Sequence, residues 1–187
     1  MVKQMSRKLL ADYSIFDLMA VAILSALGIA VGAVVGHLVR IFTGALMIPG
    51  GAVAGGIYML FLVLCVSVTK KKSAALLCGI VQAIIVMVVG VGGNHGAMTI
   101  VTYSMPGVAI LLLMLLMRHN GCCLLCSFFA CMLANLTGTF FVGWGVMAIP
   151  LVPMLLALTL AAFSGGLGGL LAWRLTKKLI TLDVIKA

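Results

Sequence analysis

Residues 50–91 read GGAVAGGIYMLFLVLCVSVTKKKSAALLCGIVQAIIVMVVGV, two long apolar runs hinged on Lys70-Lys71-Lys72. Each run is close to the roughly 20 residues a helix needs to cross a hydrocarbon core. Three consecutive ammonium groups cannot enter that core cheaply, so the chain turns back at a membrane surface there. The rest of the sequence follows the same plan. It is 65% hydrophobic and 8% charged, with a mean hydropathy of +1.36, whereas soluble domains are about one-quarter charged. A soluble globular domain is excluded, and no ten-residue alternation suggests a β-barrel. The 187 residues accommodate about six crossings with short connections and no nucleotide-binding domain. The expected fold is an all-α integral membrane protein: one domain of six transmembrane helices, at about residues 14–36, 50–68, 73–91, 99–117, 122–142 and 147–173.

Charge orients this bundle. The net charge of +9 in a membrane chain reports attraction to the anionic cytoplasmic leaflet rather than to nucleic acid. With the N-terminus in the cytoplasm, Lys3, Arg7, Lys8, Lys70, Lys71, Lys72, Arg118, Arg174, Lys177, Lys178 and Lys186 all fall inside, and only Arg40 falls outside. A miscounted helix would split Lys70–Lys72 from Arg118, so both termini are expected to be cytoplasmic and the protein to lie in a bacterial plasma membrane. The N-terminal apolar run lacks a small-residue cleavage site and reads as a retained crossing. Outer connections are then expected at His37 to Pro49, Gly92 to Met98 and Gly143 to Ala148, with Gly143-Trp144-Gly145 as a turn. Pro106 is expected to kink or open helix four.

The middle outer connection belongs to the richest polar stretch away from the ends, Gly90 to Tyr103. Asn94 and His95 suit either a heterocyclic ligand, approached closely because of Gly92, Gly93 and Gly96, or a solvated turn capping helix four. Gln82, Tyr103 and Asn135 are polar groups within helices; they suit a ligand or hydrogen bonds between helices. Arg40 is placed to pair with a carboxylate or phosphate, or to snorkel to headgroups. Tyr58 and Trp144 have faces for stacking on a ring, or serve as interfacial anchors.

Small residues mark where helices meet in lipid. The first helix carries two rows spaced by four, Ala22/Ala26/Ala30 and Gly28/Gly32/Gly36, so one face can pack within the bundle and the other meet a partner. This alanine row, six helices in about 190 residues and a basic cytoplasmic boundary resemble the substrate-specific S component of an energy-coupling factor (ECF) transporter. Pro49-Gly-Gly-Ala-Val-Ala-Gly-Gly-Ile-Tyr58 and Lys72-Ser-Ala-Ala-Leu76 with the helix up to Gly90 look most like the YkoE-type branch, associated with thiamine or its hydroxymethylpyrimidine precursor. That branch often carries acidic residues along its third and fourth helices, where Gly79, Gln82, Val86 and Ala109 stand here. The resemblance implies a binding protein that captures a vitamin-like compound at the outer face. A transmembrane coupling protein docks on Ala22, Ala26 and Ala30, and two cytoplasmic ATPases drive delivery inward.

Enzyme chemistry has no signature. The only acidic residues are Asp12, Asp17 and Asp183, near predicted cytoplasmic boundaries, so no carboxylate stands at mid-membrane for an ion relay. Hydrolase, phosphate-loop and dinucleotide motifs are absent, and no cofactor or metal is assigned. His119, Cys122, Cys123 and Cys126 cluster at one helix end, but helical spacing of thiols more often reflects packing than a zinc site; cytoplasmic thiols are expected to be reduced. The alternatives to an S component are a self-standing permease or a small intramembrane enzyme. A tetrapyrrole such as haem is the alternative ligand, prompted by thirteen methionines.

Overall fold

A computed structural model describes residues 13–43, 49–90, 95–117 and 123–182. Among these residues the structure is all-helical, with six helices: α1 Ile15–Thr43, α2 Gly50–Thr69, α3 Ala74–Val89, α4 Met98–Met117, α5 Leu124–Gly145 and α6 Leu151–Thr181. All but α3 are long and apolar enough to cross a membrane. The 16 residues of α3 rise about 24 Å, shorter than the roughly 30 Å hydrocarbon core.

Four helices end or start elsewhere than in the sequence reading. α1 continues through His37 and Arg40 to Thr43, because residues 37–43 hold no glycine or proline to stop it. The Arg40 Nε–H also donates back to the Gly36 carbonyl at 3.2 Å. Gly143-Trp144-Gly145 is the last turn of α5 rather than a connection, since Gly143 seats the Met154 side chain closely enough that a Cβ would lie 2.7 Å from its sulfur. α6 starts at Leu151, after the N-cap Pro150, and runs to Thr181, well past the expected end. α3 stops at Val89 because Gly90 takes a left-handed φ of 70° and its N–H returns to the Val86 carbonyl, a conformation that favours glycine. α4 is continuous through Pro106.

α2 is the axis of the bundle and touches all five other helices. Its run Leu62 to Val66 is buried without interruption, as expected of a helix that is apolar all round. The core around it draws on Val21, Cys78, Ile110, Met114, Ala130, Ala134 and Ala172. Against α6 the approach is closer still. A Cβ on Gly168 would be driven into the Gly56 carbonyl, and one on Gly56 into the Ser164 carbonyl. Ser164 donates to the Val53 carbonyl and accepts the Gly56 N–H at 3.1 Å. Asn135 on α5 donates to the Ala52 and Ala161 carbonyls at 3.1 and 2.9 Å. These side chains tie α2, α5 and α6 together in a region where lipid provides no hydrogen bonds.

The two ends of the bundle differ in polarity. At one end the Asp17 carboxylate bonds Lys71 Nζ at 2.8 Å, Tyr13 bonds Ser73 at 2.8 Å, and Lys71 lies 4.4 Å from the Tyr13 ring centre. These contacts tie the start of α1 to the α2–α3 turn. At that end Cys123 and Cys126 form a disulfide, with Cα atoms 5.3 Å apart, in place of the reduced thiols expected from sequence; the spacing of three at the first turn of α5 brings them within bridging reach. His119 and Cys122 lie outside the described residues.

Candidate functional site

The glycine row of α1 makes room at the opposite end. A Cβ on Gly28 would come within 2.6 Å of Gln82 Nε2, and one on Gly32 within 3.2 Å of the Tyr58 Cβ, but one on Gly36 would meet nothing within 4 Å. The seam between α1 and its neighbours is therefore tight near Gly28 and open near Gly36. The opening is a cavity of about 450 Å³ between α1, α2, α4 and α5, with Gln82 from α3, His95 from the α3–α4 connection, and Val146 and Met147 from the α5–α6 connection. That volume falls within the usual range of roughly 300–1,000 Å³ for small-molecule sites.

Three levels are distinguishable along α1. Gln82 faces Gly28 at the floor. Tyr58 lies against Gly32 and carries its hydroxyl towards Gly51, which makes its ring a wall. Arg40 lies over Gly50 at the mouth, its Nε on the Gly36 carbonyl. From the level of Gly28 to that of Gly36 is about 12 Å at 1.5 Å per residue.

Two wall groups are unpaired. Gln82 is 1% exposed and Thr139 4% exposed, yet among the described residues Gln82 Nε2 and Thr139 Oγ1 have no hydrogen-bond partner. Buried polar groups without partners are rare, and each costs about 1–3 kcal/mol. Both border the cavity, so a ligand offering complementary groups recovers that cost. Thr102, also on the wall, donates to the Thr99 carbonyl at 3.2 Å.

Among the described residues Arg40 is the one formally charged side chain lining the cavity at neutral pH. Asp17, the one acidic side chain among the described residues, is engaged by Lys71. The His95 backbone N–H donates to Thr99 Oγ1 at 2.8 Å, closing the turn into α4, while burial pushes its imidazole below the ordinary 6.5. The folded state therefore binds this proton less readily than the unfolded chain. His95 favours folding above about pH 6.5, and that contribution is lost as pH falls through the lowered folded-state value. Thermal unfolding in nanodiscs is expected to lose more stability between pH 7 and pH 5 in the parent than in His95→Gln. Equal slopes would remove His95 as the cause.

Of the residues singled out from sequence, the structure brings Arg40, Tyr58, Gln82, His95 and Tyr103 to this one cavity. Asn135 instead holds backbone carbonyls of α2 and α6. Trp144 is 71% exposed, its ring centre 5.8 Å from that of Phe140, as an interfacial anchor stands. Asn94 lies outside the described residues. Sequence reasoning missed Thr102 and Thr139, although Thr139 stands one turn beyond Asn135 and on the same stripe of α5. It also assigned the row of Gly28, Gly32 and Gly36 to packing alone. Ala22, Ala26 and Ala30 are all exposed, whereas Gly28 is buried; the centres of the two rows lie about 120° apart around α1.

Helices of this length and hydropathy around a ligand-sized cavity define a multi-pass membrane transport protein. The fold is that of an S component: a solved structure described as "Crystal structure of an S-component of ECF transporter" matches with a TM-score of 0.74 and 21% identity, covering 92% of this chain and 88% of that one. The family model for the permease component of ABC-type cobalt transport systems matches residues 16–137, well over half of the chain. The chain belongs to that family. No curated protein matches it.

Proposed function

We propose that the protein is the substrate-binding S component of an ECF-type importer and that the cavity captures a small vitamin-like compound at the outer face. The observation that carries this is the pair of unpaired, buried polar atoms on Gln82 and Thr139, bordering a ligand-sized cavity in a chain with the S-component fold. In this reading all six helices cross the membrane and both termini are cytoplasmic. Support comes from the basic residues: α2 starts at the cavity mouth and ends at Lys70–Lys72, and α6 carries Arg174, Lys177 and Lys178 far from its start. A coupling protein docks on Ala22, Ala26 and Ala30, and two ATPases supply the energy. Asn94 and Trp144 remain candidates for the rim of the mouth, and Asn135 for support of the wall. Residues 49–58 and 72–90 resemble the YkoE-type branch.

The family name raises cobalt itself as the substrate. Among the described residues the cavity lining has one imidazole, no carboxylate and an arginine, a poor donor set for a bare divalent cation. An organic compound fits the lining better.

The test is a variant that fills the cavity without disturbing the helices. Gly36 borders the cavity and has open space around its Cβ position. Gly36→Trp is expected to fold and to reach the membrane in normal amount but to retain none of the small molecules that mass spectrometry finds on the purified parent. Retention equal to the parent would refute this site.

A further inference from the structure

The cavity's charge pattern says more about its ligand than its volume does. Among the described residues its lining includes a guanidinium at the mouth and no acidic side chain. Arg40 uses Nε on its own helix, and no acidic partner meets its terminal nitrogens among the described residues. Those nitrogens carry four N–H donors in a plane, a geometry suited to a carboxylate or phosphate. About 12 Å further in, at the level of Gly28, Gln82 is 1% exposed and its Nε2 has no hydrogen-bond partner among the described residues. A primary amide offers a donor and an acceptor side by side, the complement of a ring edge that carries an N–H beside a ring nitrogen or carbonyl. Tyr58 stands between these two levels as a flat wall.

We propose that the cavity selects an elongated acidic compound, with the donor–acceptor edge of a flat heteroring on Gln82 and carboxylate or phosphate oxygens on Arg40. This rests on the cavity being the capture site. A cation of the same shape is disfavoured twice: it meets Arg40 as a like charge, and it gives up hydration without gaining any carboxylate.

The test uses parent, Arg40→Gln and Gln82→Leu proteins in nanodiscs. Arg40 is exposed, and leucine at position 82 leaves no polar group unpaired, so both variants are expected to fold. The probes are pterin-6-carboxylate, pterin and 6-aminomethylpterin, which share a ring and differ in charge. The same three proteins are also incubated with a whole-cell metabolite extract, and retained compounds are identified by mass spectrometry. The parent is expected to bind the carboxylate about 10- to 100-fold more tightly than the aminomethyl probe, the range of one charge-assisted hydrogen-bonded pair. Arg40→Gln abolishes this preference, and Gln82→Leu weakens all three. From the extract, the parent retains an acid-bearing compound that Arg40→Gln does not. A cationic or acid-free retained compound, tighter binding of the aminomethyl probe, or a charge preference that survives Arg40→Gln overturns the proposal while leaving the S-component reading standing. Retention of nothing from the probes or the extract overturns both.

Discussion

Ala26→Trp is expected to abolish recovery of a complex with a coupling protein while leaving capture of small molecules unchanged. The separation follows from helix geometry. Ala26 and Gly28 are two residues apart, hence about 200° around the axis, and the structure buries Gly28 while exposing Ala22, Ala26 and Ala30. A bare alanine stripe is of little use towards lipid, where larger apolar side chains such as Ile23 and Leu27 on the same helix fill space as well. It is of use towards another helix, because association in a bilayer depends on close backbone approach. An indole in the middle of the stripe holds a partner helix away. It touches neither Gln82 nor Arg40, so binding persists. The measurement is co-purification of the coupling protein with tagged parent and variant, alongside mass spectrometry of the retained compounds. Full recovery of the complex with Ala26→Trp would show that the partner docks elsewhere.

Gly168→Val is expected to prevent folding altogether. Lipid tails solvate apolar side chains as well as a protein interior does, so the α2–α6 pair is held by contact and by hydrogen bonds. Both depend on backbone meeting backbone at Gly56 and Gly168. Overpacking a core ordinarily costs about 1–3 kcal/mol because side chains shift to absorb it. Here the obstacle is a carbonyl of the central helix, which has no rotamer to change. Relief requires α6 to move off α2, and that breaks the Ser164 bonds to Val53 and Gly56 and strains the Asn135 bonds to Ala52 and Ala161. Gly36→Ala is the control: its Cβ meets nothing within 4 Å, and removing a glycine from a helix interior gains about 1 kcal/mol. Thermal unfolding in detergent is expected to show no folded Gly168→Val and a Gly36→Ala at least as stable as the parent. A cooperative transition for Gly168→Val near that of the parent would contradict the packing described at this crossing.

The candidate site was legible from sequence where chemistry and hydropathy conflict. Gln82 draws attention as an amide in a run of aliphatic residues, and Arg40 as the lone basic residue on the side expected to face outward. Asn135 draws attention on the same grounds, yet its amide serves backbone carbonyls of two neighbouring helices. Nothing local separates an amide that faces a cavity from one that faces a carbonyl; the distinction depends on which helices surround it. The ends of α1 and α6 were misread for a related reason. Polar residues such as His37 and Arg174 look like boundaries, but a helix stops only where the backbone has a reason to stop, as at Gly90. It otherwise continues until its polar side chains stand clear of the bilayer.

By itself the sequence determined that this is a helical membrane protein, roughly how many helices it has, and that an alanine row and a glycine row divide the first of them. Those properties follow from hydropathy, charge and period, which each segment carries alone. Only the tertiary structure decided what surrounds each row. The same small residue means tight contact at Gly168, where the opposing backbone is close, and empty space at Gly36, where the neighbouring helices have spread. That difference is set by how the helices pack, α6 close against α2 and α1 spread from its neighbours near Gly36, and it turns a glycine stripe into the wall of a cavity with Gln82 at its floor and Arg40 at its mouth.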